Sequence, residues 1–128
     1  MRDIQNREDI FKLVSSFYKE VRQHREIGPF FNETITDWDG HLEKLTDFWE
    51  SNLFHRGKYK GNPREAHIGV DKKFDHTVDI KHFGEWLTLW FTTIDGLFAG
   101  ELAERAKNNA RKMSTHLFME IYKHRKGS

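Results

Sequence analysis

The chain has 128 residues, enough for one domain around a single hydrophobic core and too few for two of ordinary size. Its 21 Lys and Arg balance 20 Asp and Glu to leave a formal charge of +1, so no broad basic field argues for nucleic acid or for an anionic membrane surface as partner. With no cysteine, disulfides, thiolate metal sites, covalent cofactor attachment through Cys-x-x-Cys-His and thiol catalysis are excluded together.

The N-terminal "MRDIQNREDIF" lacks the apolar stretch of a signal peptide, and no run approaches membrane-spanning length, so the expected location is the cytoplasm. Only 37% of residues are hydrophobic, yet 14% are aromatic, with eleven Phe and four Trp. A core built so largely from rings has either large volumes to fill or a flat partner to pack against.

In chain order, "REDIFKLVSSFYKEVRQHREIG" reads as an amphipathic helix. Phe11, Val14, Tyr18 and Val21 lie on one stripe, and Ile10, Leu13 and Phe17 on the adjoining one. Asn6 is its expected N-cap, Gly28-Pro29 its expected stop, and the Ser15-Ser16 pair a candidate bend. A short aromatic corner, "PFFN", follows. The second helix is expected from Asp37 to His55 and to end before Gly57. It carries Trp38, Leu42, Leu45, Trp49 and Leu53 on one face and His41, Leu45, Phe48 and Asn52 on its neighbour.

After the loop "GKYKGN", a short helix starts with Asn62 as N-cap, Pro63 at the first helical position and Glu65 reaching back. His67 falls in its second turn, close to where Gly69 should end it, and "GVDKKFDHTVD" reads as a polar connection. A third long helix beginning near Thr77 or Asp79 presents Ile80, Phe83, Trp86, Leu87, Trp90, Ile94 and Leu97 before Gly100. The last, "ELAERAKNNARKMSTHLFMEIY", has Leu102, Ala106, Ala110, Met113, Leu117 and Ile121 at helical spacing. The expected architecture is all-α, four long helices with a small helix and an irregular stretch between the second and third. Such a long connection in a small bundle suggests a site.

Eight histidines without cysteine narrow the chemistry. There is no His-Glu-x-x-His for zinc, and a di-iron carboxylate bundle would need paired Glu-x-x-His motifs where the chain offers only Asp79-x-x-His82. No glycine-rich phosphate loop is present, and the helical pattern supplies no nucleophile elbow. A flat, mostly apolar cofactor with one axial imidazole uses what is present: haem needs one neutral His on iron and aromatic or aliphatic walls. His67 suits that role, although a lone helical His is more often solvated or hydrogen-bonded.

The ordered set "SFYKEVRQHREIGPFFN", "GHLEKLTDFW", "GNPREAHI" and "HFGEWLTLWFTTIDGLFAGELAERAKNNARKM" resembles the truncated haemoglobins, most closely their group III branch, over nearly the whole chain. The resemblance implies a single globin domain over residues 1–128, a two-over-two α-helical sandwich around non-covalent haem b (iron protoporphyrin IX). Carried over residue by residue, it makes His67 the iron ligand and Tyr18 the distal tyrosine. Phe31 becomes the ring against the haem, His41 the distal histidine followed by Leu45 and Phe48, and Trp86 the tryptophan overlooking the ligand. A register shift would substitute His76 for His67, but His76 lacks the Asn-Pro-x-Glu helix start.

The implied function is reversible binding of O2, and of NO or CO, at a five-coordinate ferrous haem. Donors from Tyr18 and Trp86 in a dry pocket slow release, by about 1 kcal/mol or more per hydrogen bond. Slow release suits ligand capture, sensing, NO detoxification or peroxide chemistry fed by an electron-donating reductase better than it suits oxygen transport. The contrasting expectation is a cofactor-free helical interaction domain, in which Tyr18 and Trp86 are core aromatics with satisfied polar ends.

Overall fold

The computed structural model describes residues 1–55, 61–74 and 76–127, with side chains to residue 125. The described residues form six helices: α1 (Arg7–Gln23), α2 (Gly28–Asn32), α3 (Trp38–Phe54), α4 (Pro63–Lys73), α5 (Ile80–Leu97) and α6 (Glu101–Gly127). Most of the expected "GKYKGN" loop, including Gly57, lies outside them.

Local chemistry sets most of the helix starts. The side chains of Asn6, Asp37, Asn62 and Asp79 accept backbone N–H groups at the starts of α1, α3, α4 and α5, and Asp79 and His82 bond reciprocally as a capping box. The cap on α6 comes from the far end of the chain, where the Asp3 carboxylate accepts the N–H groups of Leu102 and Ala103 at 2.8 and 2.9 Å. Gly100, at φ +146°, leaves room for it, since a Cβ there would fall 2.5 Å from the Asp3 side chain.

α1 packs on α3, and α5 packs on α6, with α1 also lying against α5, so one helix pair rests on another. At the crossing sit Ile10, Leu13, Val14, Phe17 and Val21 of α1, Trp49 and Leu53 of α3, and Trp90 and Ile94 of α5. Three alanines of α6, Ala103, Ala106 and Ala110, let that helix approach closely. Trp90 is fully buried, stacks on Trp49 at 4.8 Å, and donates its indole N–H to the Ala106 carbonyl at 3.1 Å. A second, smaller cluster of Ile68, Val78 and Ile121 joins α4 to α6, with Phe30, Val70 and Phe83 around it.

Four expectations need correction. α1 stops at Gln23, with His24 in extended backbone as its C-cap, and Gly28-Pro29 opens α2. Gly28 sits at a close approach, where a Cβ would come to 3.1 Å from the Val21 and Arg22 carbonyl oxygens. No break occurs at Ser15-Ser16. Phe11 is 41% exposed despite its place on the expected stripe. α4 runs past Gly69 to Lys73, so half of the expected polar connection is helix.

The continuation of α4 has a physical cause in Asp71, which is 2% exposed. Its carboxylate accepts two N–H groups of Arg125 at 2.9 and 2.5 Å and the Val78 N–H at 3.2 Å, and bonds His76 Nδ1 at 3.0 Å. Arg125 also donates to the Val78 carbonyl at 2.5 Å, so the end of α6 clamps both α4 and the chain leading to α5.

Candidate functional site

His67 sits four residues after Pro63 on α4, and its Nδ1 lies 2.6 Å from the Pro63 carbonyl oxygen. A carbonyl only accepts, so Nδ1 carries the proton and Nε2 keeps its lone pair. Burial lowers the His67 pKa, against the opposing pull of the carbonyl, which favours the neutral ring that a metal ligand requires. Phe83 of α5 stacks against His67 at 6.4 Å, and Phe118 of α6 meets Phe83 edge-on at 5.8 Å.

A second constellation surrounds Tyr18. Its side chain is buried, which pushes the phenol pKa well above its ordinary value, against the opposing pull of the Trp86 indole. An indole N–H only donates, so toward Trp86 the Tyr18 oxygen can only accept, which leaves its own O–H to donate. Phe31, Trp38 and His41 meet the Tyr18 ring at 5.6, 5.9 and 5.9 Å, and Phe17 meets it edge-on at 4.8 Å. His41 is half-buried, and desolvation followed by the nearby Lys44 charge lowers its pKa, so it too is neutral near pH 7. Leu45 and Phe48 lie one and two turns beyond His41 and pack, half-buried, against the main core.

α5 joins the two constellations. Phe83 stacks on His67 and Trp86 acts on the Tyr18 phenol, and residues three apart share one face of a helix. Helices α3 and α4, which carry His41 and His67, have no extensive packing against each other. The alternative ligand His76 follows the end of α4, is exposed, and is engaged with Asp71. Of the other histidines, His24 caps α1, His55 caps α3 in the left-handed conformation at φ 57°, and His82 completes the cap of α5.

The donor set fits haem better than a bare ion. Among the described residues no three His, Cys, Asp or Glu groups converge as a metal cage. One neutral imidazole with a fixed tautomer is what an iron already held in a porphyrin plane requires from the protein.

Sequence reasoning left out the partners of these residues. Trp38 packs against both Tyr18 and His41, and its signal was its position one turn before His41 on α3. Phe17 joins Tyr18 to Trp86 and Trp90, at 5.3 and 4.9 Å from the two indoles.

An all-helical chain with one helix pair laid on another and a short helix presenting a histidine defines the truncated globin fold. Within that class, the similarity is to group III. A group 3 truncated hemoglobin of Campylobacter jejuni is 28% identical over 123 residues, covering 93% of each chain. The crystal structure of a group III truncated hemoglobin from Campylobacter jejuni superposes with a TM-score of 0.85 at 28% identity, covering 97% of this chain and 98% of the other. No family model matches the chain. The resemblance read from the sequence is thereby borne out, and the family it points to is one of haem-binding globins.

Proposed function

We propose that residues 1–128 act as one globin domain that binds haem b non-covalently, with His67 Nε2 as the iron ligand and small diatomic ligands as partners. Bound there, haem would supply an iron able to take up O2, NO or CO. The observation that carries this reading is the bond from His67 Nδ1 to the Pro63 carbonyl, which fixes the one ring nitrogen left for iron.

The chain's own residues then do three things. The Pro63 carbonyl orients the imidazole and raises its electron-donating power. Phe31, Leu45 and Phe48 on one side and Phe83 on the other supply apolar walls that exclude water. Tyr18, kept protonated by burial and polarised by the Trp86 N–H, directs its O–H toward a ligand that gathers negative charge. Trp86 acts through the tyrosine, and neutral His41 completes the polar roof.

One directed O–H favours retention over delivery, so NO detoxification or peroxide reduction with electrons from a reductase is the use proposed for this pocket. Replacing Tyr18 by Phe should speed O2 dissociation roughly fivefold to tenfold, the worth of one hydrogen bond of about 1 kcal/mol. An unchanged rate in stopped-flow mixing with CO would remove Tyr18 from the account. NO consumption that continues over many turnovers with an electron donor supports the detoxifying role, whereas a single stoichiometric reaction excludes it.

A further inference from the structure

A groove of about 800 Å³ opens on the outer side of α1, walled by the second half of that helix, the chain between α2 and α3, and the start of α3. It shares Tyr18 and Trp38 with the candidate site but contains neither His41 nor His67 nor Trp86. Its volume falls within the roughly 300–1,000 Å³ of small-molecule pockets.

The features of its lining point to one ligand chemistry. Ser15, Lys19 and Arg22 stand at i, i+4 and i+7 and so present one stripe of α1 to the groove. No carboxylate lines it, and among the described residues neither Lys19 nor Arg22 forms an ion pair. The Arg22 guanidinium is nevertheless held in place. It lies 4.4 Å above the Trp38 ring and donates from Nε to Asn32 Oδ1 at 3.3 Å, while Asn32 Nδ2 donates back to the Arg22 carbonyl at 2.9 Å. Its terminal N–H groups are left for a planar acceptor. The Ser15 hydroxyl oxygen is buried and has no hydrogen-bond partner, an arrangement that costs stability unless something supplies one. Trp38, Ile35 and Leu42 offer an apolar wall beside these donors.

We propose that this groove binds a small organic anion, with its carboxylate on Arg22 and Lys19 and its aromatic or aliphatic body along Trp38 and Leu42. The proposal does not rest on haem being bound at the candidate site.

The test is a titration of the full 15N-labelled chain, reduced and saturated with CO, with 2-naphthoate and separately with neutral 2-naphthamide. Saturable shifts should concentrate on the amides of Ser15, Arg22, Asn32 and Thr36, and naphthamide should bind at least about fivefold more weakly, as expected for the loss of a charge-assisted contact. Arg22→Gln and Lys19→Gln should each weaken naphthoate by a similar factor. Lys19 is exposed and supports nothing in the fold, so its variant carries the test even if Arg22→Gln disturbs the α2 region. Shifts that stay linear or scatter over the surface, equal affinity for the amide, or naphthoate binding untouched by Lys19→Gln would each overturn the proposal.

Discussion

The two halves of the candidate site are held by different forces. Around Tyr18, position is set by packing: Phe17, Trp49 and Trp90 are buried rings in mutual contact at the crossing of three helices. Around His67, the buried apolar cluster is the small one of Ile68, Val78 and Ile121, and the helix is tied down by the Asp71–Arg125 clamp. Rings at a helix crossing tolerate no displacement without opening a cavity, whereas an ion pair across a small cluster holds one helix and leaves its surroundings adaptable. On the function proposed above, the rigid half would carry the donor to the ligand, and the more adaptable half the iron ligand.

The largest expected effect comes from breaking the packed half. Trp90→Ala removes a fully buried ring and its indole hydrogen bond to the Ala106 carbonyl, which should cost about 3–5 kcal/mol and lower the thermal midpoint steeply. A loss below about 1 kcal/mol in denaturant unfolding would mean that the crossing is not the keystone.

Breaking the clamp should cost somewhat less overall but act on His67. Arg125→Met strands a buried carboxylate, a change worth about 3 kcal/mol. It should also alter the signals of the His67 helix while leaving the Tyr18 rings in place, which heteronuclear NMR distinguishes.

The same clamp gives a pH dependence with a definite sign. Burial alone would raise the Asp71 pKa, but Arg125, His76 and the Val78 N–H outweigh it and hold the carboxyl below its ordinary value. A depressed pKa contributes stability that is complete above the unfolded value and is lost as pH falls through the folded one. Acid unfolding of the wild type should therefore steepen only below the ordinary carboxylate range, and Asp71→Asn should flatten that limb. An unchanged acid limb in Asp71→Asn would contradict this.

The smallest expected change is a gain. A Cβ at Gly69 would meet nothing within 4 Å, and the residue lies mid-helix, so Gly69→Ala should stabilise by about 0.5–1 kcal/mol. A destabilised variant would mean that α4 does not run through that position.

Much of this was legible in the sequence because the informative signals were local. Asn6 and Asn62 marked helix starts by side-chain chemistry alone, the start expected near Thr77 or Asp79 falls at Asp79, and the stripes through Phe17, Trp49 and Trp90 marked the buried faces. Tertiary contacts decided what was misread. Gly28 looked like a stop but answers to two carbonyls of α1, and Gly69 looked like a stop but is an ordinary helical position. Asp71 looked like part of a solvated connection, because its partner Arg125 lies 54 residues away. The pairing of Tyr18 with Trp86, 68 positions apart, was equally invisible to periodicity and came into view only through the family resemblance.

The most direct test is the ultraviolet-visible spectrum of the purified protein, ferric, ferrous and with CO, for wild type beside His67→Gly. The account predicts a Soret band that shifts on reduction and on CO binding, weakens in His67→Gly and returns when imidazole is added. A colourless chain that takes up no haemin, or a Soret band indifferent to the loss of His67, would contradict it.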